Sequence, residues 1–302
     1  MPNAIALITK YLAELDKVYK FTSKTSILDA PASAIKPADE ANAIKIAKMA
    51  LQGLGDYDRN TGYVSGDATI TWETHTFTQD RGRKFNVDVM DNIETANIAF
   101  GMLAGEFVRT KTVPEFDAYR MAVYAASAGT KVGADVTTGA NVLAAIDVAS
   151  AQMDEDEVPE EGRLLYLSVA WYNLLKAAPS IDRRIGSGND KTFDRRFEEF
   201  DGMKIIKMPK TRFYTAITQY DGSTGGQEAG GYIKEGSTGK DQNMLMIHPS
   251  AVLQTVKHTV SKIITPDANQ SSDGYLYFFR AYHDAFVLEN KTAGIYSHRK
   301  ST

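Results

Sequence analysis

Apolar residues recur at helical spacing at the start of the chain. Ile8, Tyr11, Leu12, Leu15, Val18 and Tyr19 share one face and predict a short amphipathic helix. Such a helix either packs on the chain's own core or serves as an arm on another subunit. Residues 29–42, "DAPASAIKPADEAN", place Pro31 and Pro37 among small residues and predict an extended connector. Gly53, Gly55, Gly62 and Gly66 then predict repeated turns. A period of two follows in "TITWETHTFTQDRGRKFNVDV". Ile70 and Trp72 alternate with Thr71 and Glu73; Phe85, Val87 and Val89 alternate with Lys84, Asn86 and Asp88. The expectation is two strand segments on either side of a charged turn at Gly82, half exposed or packed on a partner.

Residues 91–128 predict one long helical feature. Asp91 and Glu94 form a capping-box pattern, and Ile93, Ala96, Phe100, Leu103 and Phe107 make an apolar stripe. Thr112 and Glu115 form a second capping pattern with Pro114 in the first turn. Phe116, Tyr119 and Val123 continue the apolar face, so a kink or break is expected near Pro114. From about residue 138 the pattern becomes α/β. "NVLAAIDVASAQM" is helical, "RLLYLSV" is an apolar strand, "VAWYNLLKAAP" is a helix and "GMKIIKMP" is a buried strand. The Gly-rich run 221–239 predicts a long loop. "NMLMIHPSAVLQTVKHTVSKII" reads as a strand and then a helix with Pro249 in its first turn. "GYLYFFRAYHDAFVLE" and "AGIYSH" read as closing strands. No repeat of solenoid length is present.

Composition narrows the function classes. With 302 residues the chain has enough length for a substantial core. Its formal net charge of -4 argues against sequence-independent phosphate binding, which needs clustered Lys and Arg. The absence of cysteine excludes disulfides, thiolate metal sites and Cys nucleophiles. The first apolar run stops at Lys10 and is followed by Glu14 and Asp16, unlike a signal peptide. No stretch approaches the roughly 20 apolar residues of a membrane span.

Catalytic patterns are sparse. His75, His248, His258, His283 and His298 form no H-E-x-x-H pair or other helical ligand spacing, which points to structural roles. Asp154, Glu155, Asp156, Glu157, Glu160 and Glu161 could hold a hard cation, but they lack calcium-loop spacing, and a solvated turn before a strand is the favoured reading. "KEGSTGKD" (234–241) fails as a phosphate loop, because Lys234 replaces the first Gly and Asp241 the Ser or Thr. "GSGND" (186–190) is half of a dinucleotide pattern, and no G-x-S-x-G elbow occurs. No catalytic, cofactor or metal residue is assigned.

The order of segments carries more than any motif. "TFTQDRGRKFNVDVMDNIET", "VPEFDAYR" (113–120), "VPEEGRLLYLSVAWYNLLK" (158–176), "GMKIIKMPKTRF", "MLMIHPSAVLQTVK" and "GYLYFFRAYHDAFVLENKTAGIY" follow one another over roughly residues 70 to 298. In that order they resemble the major capsid proteins of tailed double-stranded-DNA phages, the Hong Kong 97 fold. The resemblance implies an α+β architecture. Its parts are an N-arm (1–36), an E-loop with flanking strands (37–90), a P-domain spine helix (91–130), an A-domain (131–265) and P-domain C-terminal strands (266–302).

The resemblance also implies a non-enzymatic shell subunit without cofactors. It would form pentamers and hexamers of an icosahedral shell in the virion, after assembly in the host bacterial cytoplasm. Expected partners are other copies, a portal, and a separate scaffolding protein, since arm-like sequence starts almost at Met1. Double-stranded DNA would be enclosed without sequence-specific contacts, and no membrane is involved. No matched Lys–Asn pair predicts a cross-link. Asp80, Arg81, Arg83 and Lys84 are the candidate intersubunit contacts; solvated turn residues are the alternative. Charge reversal at Arg81 and Arg83 together is expected to impair assembly and to spare the subunit fold. Two other functions are weighed: an encapsulin-type compartment shell, and an α/β metal-dependent enzyme with an acidic site at 154–161.

Overall fold

The structure is a computed structural model that describes residues 23–29, 43–90, 98–178 and 198–301. The expected N-terminal helix, the capping pair Asp91 and Glu94, and the run 186–190 lie outside the described residues. In chain order the strands and helices begin with β1 (Ala43–Leu51), β2 (Ala68–Thr76) and β3 (Gln79–Asp88). Helices α1 (Ile98–Phe107) and α2 (Val113–Ser127) come next, then β4 (Thr130–Gly133), α3 (Gly139–Glu155), β5 (Leu164–Ser168) and α4 (Val169–Lys176). The remainder is strand: β6 (Glu199–Phe200), β7 (Met203–Met208), β8 (Ile217–Gln219), β9 (Tyr232–Lys234), β10 (Gln242–Ile247), β11 (Val252–Ile264), β12 (Gly274–Val287) and β13 (Ile295–Arg299).

Two main sheets share one helix. A six-stranded mixed sheet has the order β4-β13-β10-β5-β7-β6, and a three-stranded antiparallel sheet has the order β11-β12-β3. Every residue of β5 and β10 is buried, as expected of strands covered on both faces. Their period of two divides the side chains. Leu165, Leu167, Met244 and Met246 join a core under α3 and α4, with Val142, Ile146 and Trp171. Leu164, Tyr166, Leu245 and Ile247 join the opposite core, with Met121, Tyr124 and Ala125 of α2. The start of α2 covers the other sheet: Val113 and Phe116 pack with Tyr277, Phe279 and Ala281 of β12.

The spine runs from α1 into α2 through a π-helical turn, Val108–Thr112, where the Val113 N–H reaches back to the Val108 carbonyl. Pro114 explains the position of this turn. It has no N–H to donate, so widening the turn just before it relieves the ladder without breaking the helix. The expected interruption is therefore a bulge in a continuous feature. Thr112 has helical dihedrals and no side-chain capping bond, so the expected second capping box does not form.

Three further expectations change. The segment after Pro249 is strand β11, not helix; only Pro249–Ala251 forms a short 3-10 turn. Val252, Thr255, Val256, Thr259, Val260, Ile263 and Ile264 favour an extended chain, and β12 supplies a ladder along its length. Within the Gly-rich run, Tyr232–Lys234 pairs with Ile217–Gln219 as a small hairpin. Gly82 does not turn the chain. It lies inside β3, opposite Arg280, while the strand break falls at Phe77 and Thr78.

Gly82 is there for space: a Cβ on it would stand 2.8 Å from the Phe279 carbonyl oxygen of β12. Gly82→Val should therefore destabilise the subunit by about 1–3 kcal/mol through overpacking. Urea unfolding of the purified chain measures it, and an unchanged midpoint would contradict the packing argument.

Candidate subunit interface

The period of two in β3 separates the four candidate contact residues. Arg81 and Arg83 share a face with Phe85 and Val87, toward the spine; Asp80 and Lys84 lie on the other face. Asp80 accepts two bonds from Arg280 of β12, at 2.8 and 2.6 Å. This hydrogen bond holds the Asp80 carboxyl below its ordinary range, although both side chains are well exposed, so the pair adds little stability. Arg81 Nε donates to Glu115 Oε1 at 2.6 Å and fastens β3 to α2. Arg83 donates to the Glu228 carbonyl at 2.9 Å, joining β3 to the loop before β9. Lys84 is exposed. Arg81 is thus part of the subunit's own packing, and a glutamate there would face Glu115. Charge reversal would disturb the fold, contrary to the expectation that it is spared.

The acidic run 154–161 sits where α3 turns toward β5. Arg163 is the organising group: its guanidinium is buried and donates to the Val158 and Pro159 carbonyls, and it pairs with Asp154 at 2.7 Å. The V-P-E-E-G-R phrase is thereby explained as a self-contained turn.

Sequence reasoning missed the strongest polar cluster. Asp117, Arg120 and Tyr124 lie on α2 at spacings of three and four, hence on one face, and all are fully buried. They grip residues 23–29. Asp117 accepts from Ser23 Oγ (2.8 Å), Lys24 N (3.1 Å), Thr25 N (3.3 Å), Thr25 Oγ1 (2.9 Å) and Arg212 Nη1 (3.1 Å). Arg120 donates to Thr25 Oγ1 at 2.9 Å. Tyr124 donates to Gln254 Oε1 at 2.6 Å, and Gln254 Nε2 donates to the Thr25 carbonyl at 2.6 Å. Polar residues on one stripe of an otherwise apolar helix were the available signal.

Next to this cluster His283 is fully buried, its ring 3.6 Å from that of Phe116 and edge-on to Tyr119. Burial, with Arg120 and Arg81 close by, pushes its pKa down to about 3. Its neighbour Asp284 accepts from Thr78 N, Thr78 Oγ1 and Tyr119 OH, tying β3's start to the spine.

Outside the two sheets stands the β1–β2 hairpin. It pairs Ala43 with Thr76 through to Leu51 with Ala68. One face is seated at the base, where Ile44 packs with Phe77 and Phe286, and Lys48 reaches Glu289 at 2.8 Å. On the other face Ala47 and Met49 oppose Trp72 and Ile70, with Leu51 beyond. Trp72 is 64% exposed and Leu51 69%. The tip adds Leu54, Tyr57, Tyr63 and Val64, all exposed, with the two tyrosine rings 4.8 Å apart. A long two-stranded ribbon with an apolar outer face lacks a core of its own.

A cleft of about 640 Å³ opens between β3, the π-turn and the β8–β9 hairpin. Phe85, Phe107 and Tyr220 line it, with Arg81, Arg83 and Lys111.

Two outcomes follow from the buried groups. Asp117→Ala should cost about 3–5 kcal/mol, because it strands buried donors and a cation; limited proteolysis should then cut near residues 23–29, and unchanged resistance would refute the clamp. Stability should also fall as pH drops from 6.5 toward 3. In that window unfolded His283 takes up a proton that the folded chain refuses, at up to about 1.4 kcal/mol per pH unit. Subtracting the pH profile of His283→Phe isolates this contribution, and identical slopes would rule it out.

No family model matches the chain, and no curated protein does. Solved structures are similar over most of its length. The capsid structure of cyanophage P-SCSP1u is 13% identical, with 90% of this chain and 86% of that chain covered and a TM-score of 0.61. The mature capsid of bacteriophage PhiM1 is 11% identical, covering 87% and 83%, with a TM-score of 0.59. A Gordonia phage Cozz structure is 12% identical, covering 93% and 87%, also with a TM-score of 0.59. The chain has the α+β capsid fold of the Hong Kong 97 type.

Proposed function

We propose that this chain is the major capsid protein of a tailed double-stranded-DNA bacteriophage, a non-enzymatic subunit of an icosahedral shell built from pentamers and hexamers. The observation that carries this reading is the β1–β2 hairpin. Among the described residues nothing covers its apolar face, on a fold shared with two phage capsids. A hairpin that covers a neighbour makes a heterologous contact, and such contacts close into rings. Each large apolar side chain buried there contributes about 1.5–3 kcal/mol, and every subunit repeats the contact.

In this reading the virion is the site of action, after assembly in the host cytoplasm. A scaffolding protein and a portal are the partners during assembly. DNA is enclosed without sequence-specific binding, in keeping with a net charge of -4. The proposed parts are the N-arm 1–36, E-loop 37–90, spine 91–130 and A-domain 131–265, with P-domain strands from 266. Strand pairing favours moving β11 to the P-domain and β13 to the A-domain sheet. Asp80 and Lys84, on the outward face of β3, remain the intersubunit candidates, while Arg81 and Arg83 work first within the subunit. The encapsulin-type alternative has the same architecture and differs in packaging no DNA. The enzyme alternative loses its main support, since Asp154 is bound to Arg163 and, among the described residues, no three acidic or histidine side chains cluster as metal ligands.

Expression of the chain with and without its genomic neighbours, followed by electron microscopy, tests the proposal. Closed shells or capsomers are expected. Ile70→Lys with Trp72→Glu should leave a soluble, folded subunit by circular dichroism and abolish assembly. A single small oligomer under all assembly conditions, or normal shells from the double variant, would overturn it.

A further inference from the structure

We propose that the cleft beside the π-turn binds a nucleotide, taking its phosphate on Arg83 and Lys111 and its base against aromatic rings. The proposal stands independently of the shell reading. The cleft's volume of about 640 Å³ lies in the range of small-molecule sites, about 300–1,000 Å³. Its walls come from β3, the π-turn of the spine and the Gly-rich segment before β9.

The charges decide what kind of ligand it takes. Arg81, Arg83, Lys111 and Lys234 line the cleft, and two of these are already neutralised. Arg81 pairs with Glu115 at 2.6 Å and Lys234 with Asp241 at 3.4 Å. Arg83 donates to a neutral group, the Glu228 carbonyl, and Lys111 is exposed on the π-turn. Among the described residues neither has an ion pair. Asp221 also borders the cleft, but its own loop takes up its carboxylate. Ser223 N, Thr224 N and Thr224 Oγ1 donate to it at 2.8, 2.9 and 2.5 Å. Two cations therefore share the space without a carboxylate to balance them, and the ligand is an anion.

Arg83 is held by a wall that needs glycine. Gly222 and Gly230 have positive φ values of 78° and 66°, a region that side chains disfavour. A Cβ would stand 2.8 Å from Arg83 Nη1 at Gly222 and 3.3 Å at Gly230. Nη2 is fixed on the Glu228 carbonyl at 2.9 Å. A guanidinium placed in advance suits the two-pronged contact that phosphate offers, and the compact ammonium of Lys111 adds a second charge. Phe85 and Phe107, edge to face with centroids 4.8 Å apart, supply ring surface in the same cleft, as does Tyr220. Aromatic faces accept any nucleobase by stacking. A phosphate that carries a planar base uses both halves of the cleft; inorganic phosphate uses one.

Titration calorimetry on the purified full chain tests this. Deoxyadenosine monophosphate should bind at one site per chain with a Kd on the order of 10–100 µM, the usual range for a ligand of that size. Deoxyadenosine and inorganic phosphate should each bind about tenfold more weakly or worse. Arg83→Ala should weaken the nucleotide about tenfold. Tyr220→Leu should weaken the nucleotide and leave inorganic phosphate unchanged. Circular dichroism checks the fold of each variant; if Arg83→Ala does not fold, Lys111→Gln on the exposed turn takes its place, with a loss expected again. A DNA oligonucleotide with a 5′-phosphate, compared with the same strand lacking it, separates the two sources of this chemistry. Competition by the phosphorylated strand alone assigns the site to a strand end. Competition by neither assigns it to free nucleotide, and both results uphold the site. Equal competition by both strands overturns it. So does inorganic phosphate binding as tightly as the nucleotide, no nucleotide binding up to about 1 mM, or an affinity that these substitutions leave unchanged.

Discussion

The architecture hangs on one helix serving two cores. The spine presents Val113 and Phe116 to the three-stranded sheet, then Met121, Tyr124 and Ala125 to the six-stranded sheet. β12 runs beneath it and contributes Tyr277 and Phe279 to the first core, Ala285 and Val287 to the second. Neither sheet can shift relative to the other without exposing apolar side chains of the same helix. That constraint makes a rigid body from two otherwise separate layers.

The spine's polar stripe has a different task. Asp117 and Arg120 bond residues 23–29 directly, Tyr124 reaches them through Gln254, and Arg212 completes the set. Burying a charge is costly unless its bonds are satisfied. Asp117 meets that condition with five donors, so the cluster is specific for one bound segment in one register. Residues 23–29 are thereby held where the chain leaves toward its N-terminus. His283 lies at the margin of the same region and contributes only as a neutral ring, which links the integrity of the spine to pH.

The hairpin contrasts with both. Its base is packed and ion-paired, but its apolar outer face is covered by none of the described residues. The body is held from within, whereas the ribbon leaves apolar side chains exposed. The cleft by the π-turn begins in a local defect. Pro114 forces the ladder to widen, and the widened turn leaves Lys111 exposed on the rim.

The sequence by itself determined the elements with strong periodicity and their order. The helices around Val142 and Trp171, the buried strands "LLYLS" and "NMLMI", and the long closing strand were all legible, because each fills a face whose period is set by local geometry. The resemblance of the ordered phrases to capsid proteins carried the fold. Tertiary structure decided the rest. Gly82 looked like a turn, yet it is a strand residue because β12's backbone passes too close for a Cβ. Residues 252–264 looked helical, yet they are strand because β12 offers a ladder that no local rule records. Glu115 looked like a cap and is the partner of Arg81, a residue 34 positions away. Pairings between distant segments depend on which backbones come within hydrogen-bond reach, and short-range periodicity carries no such information.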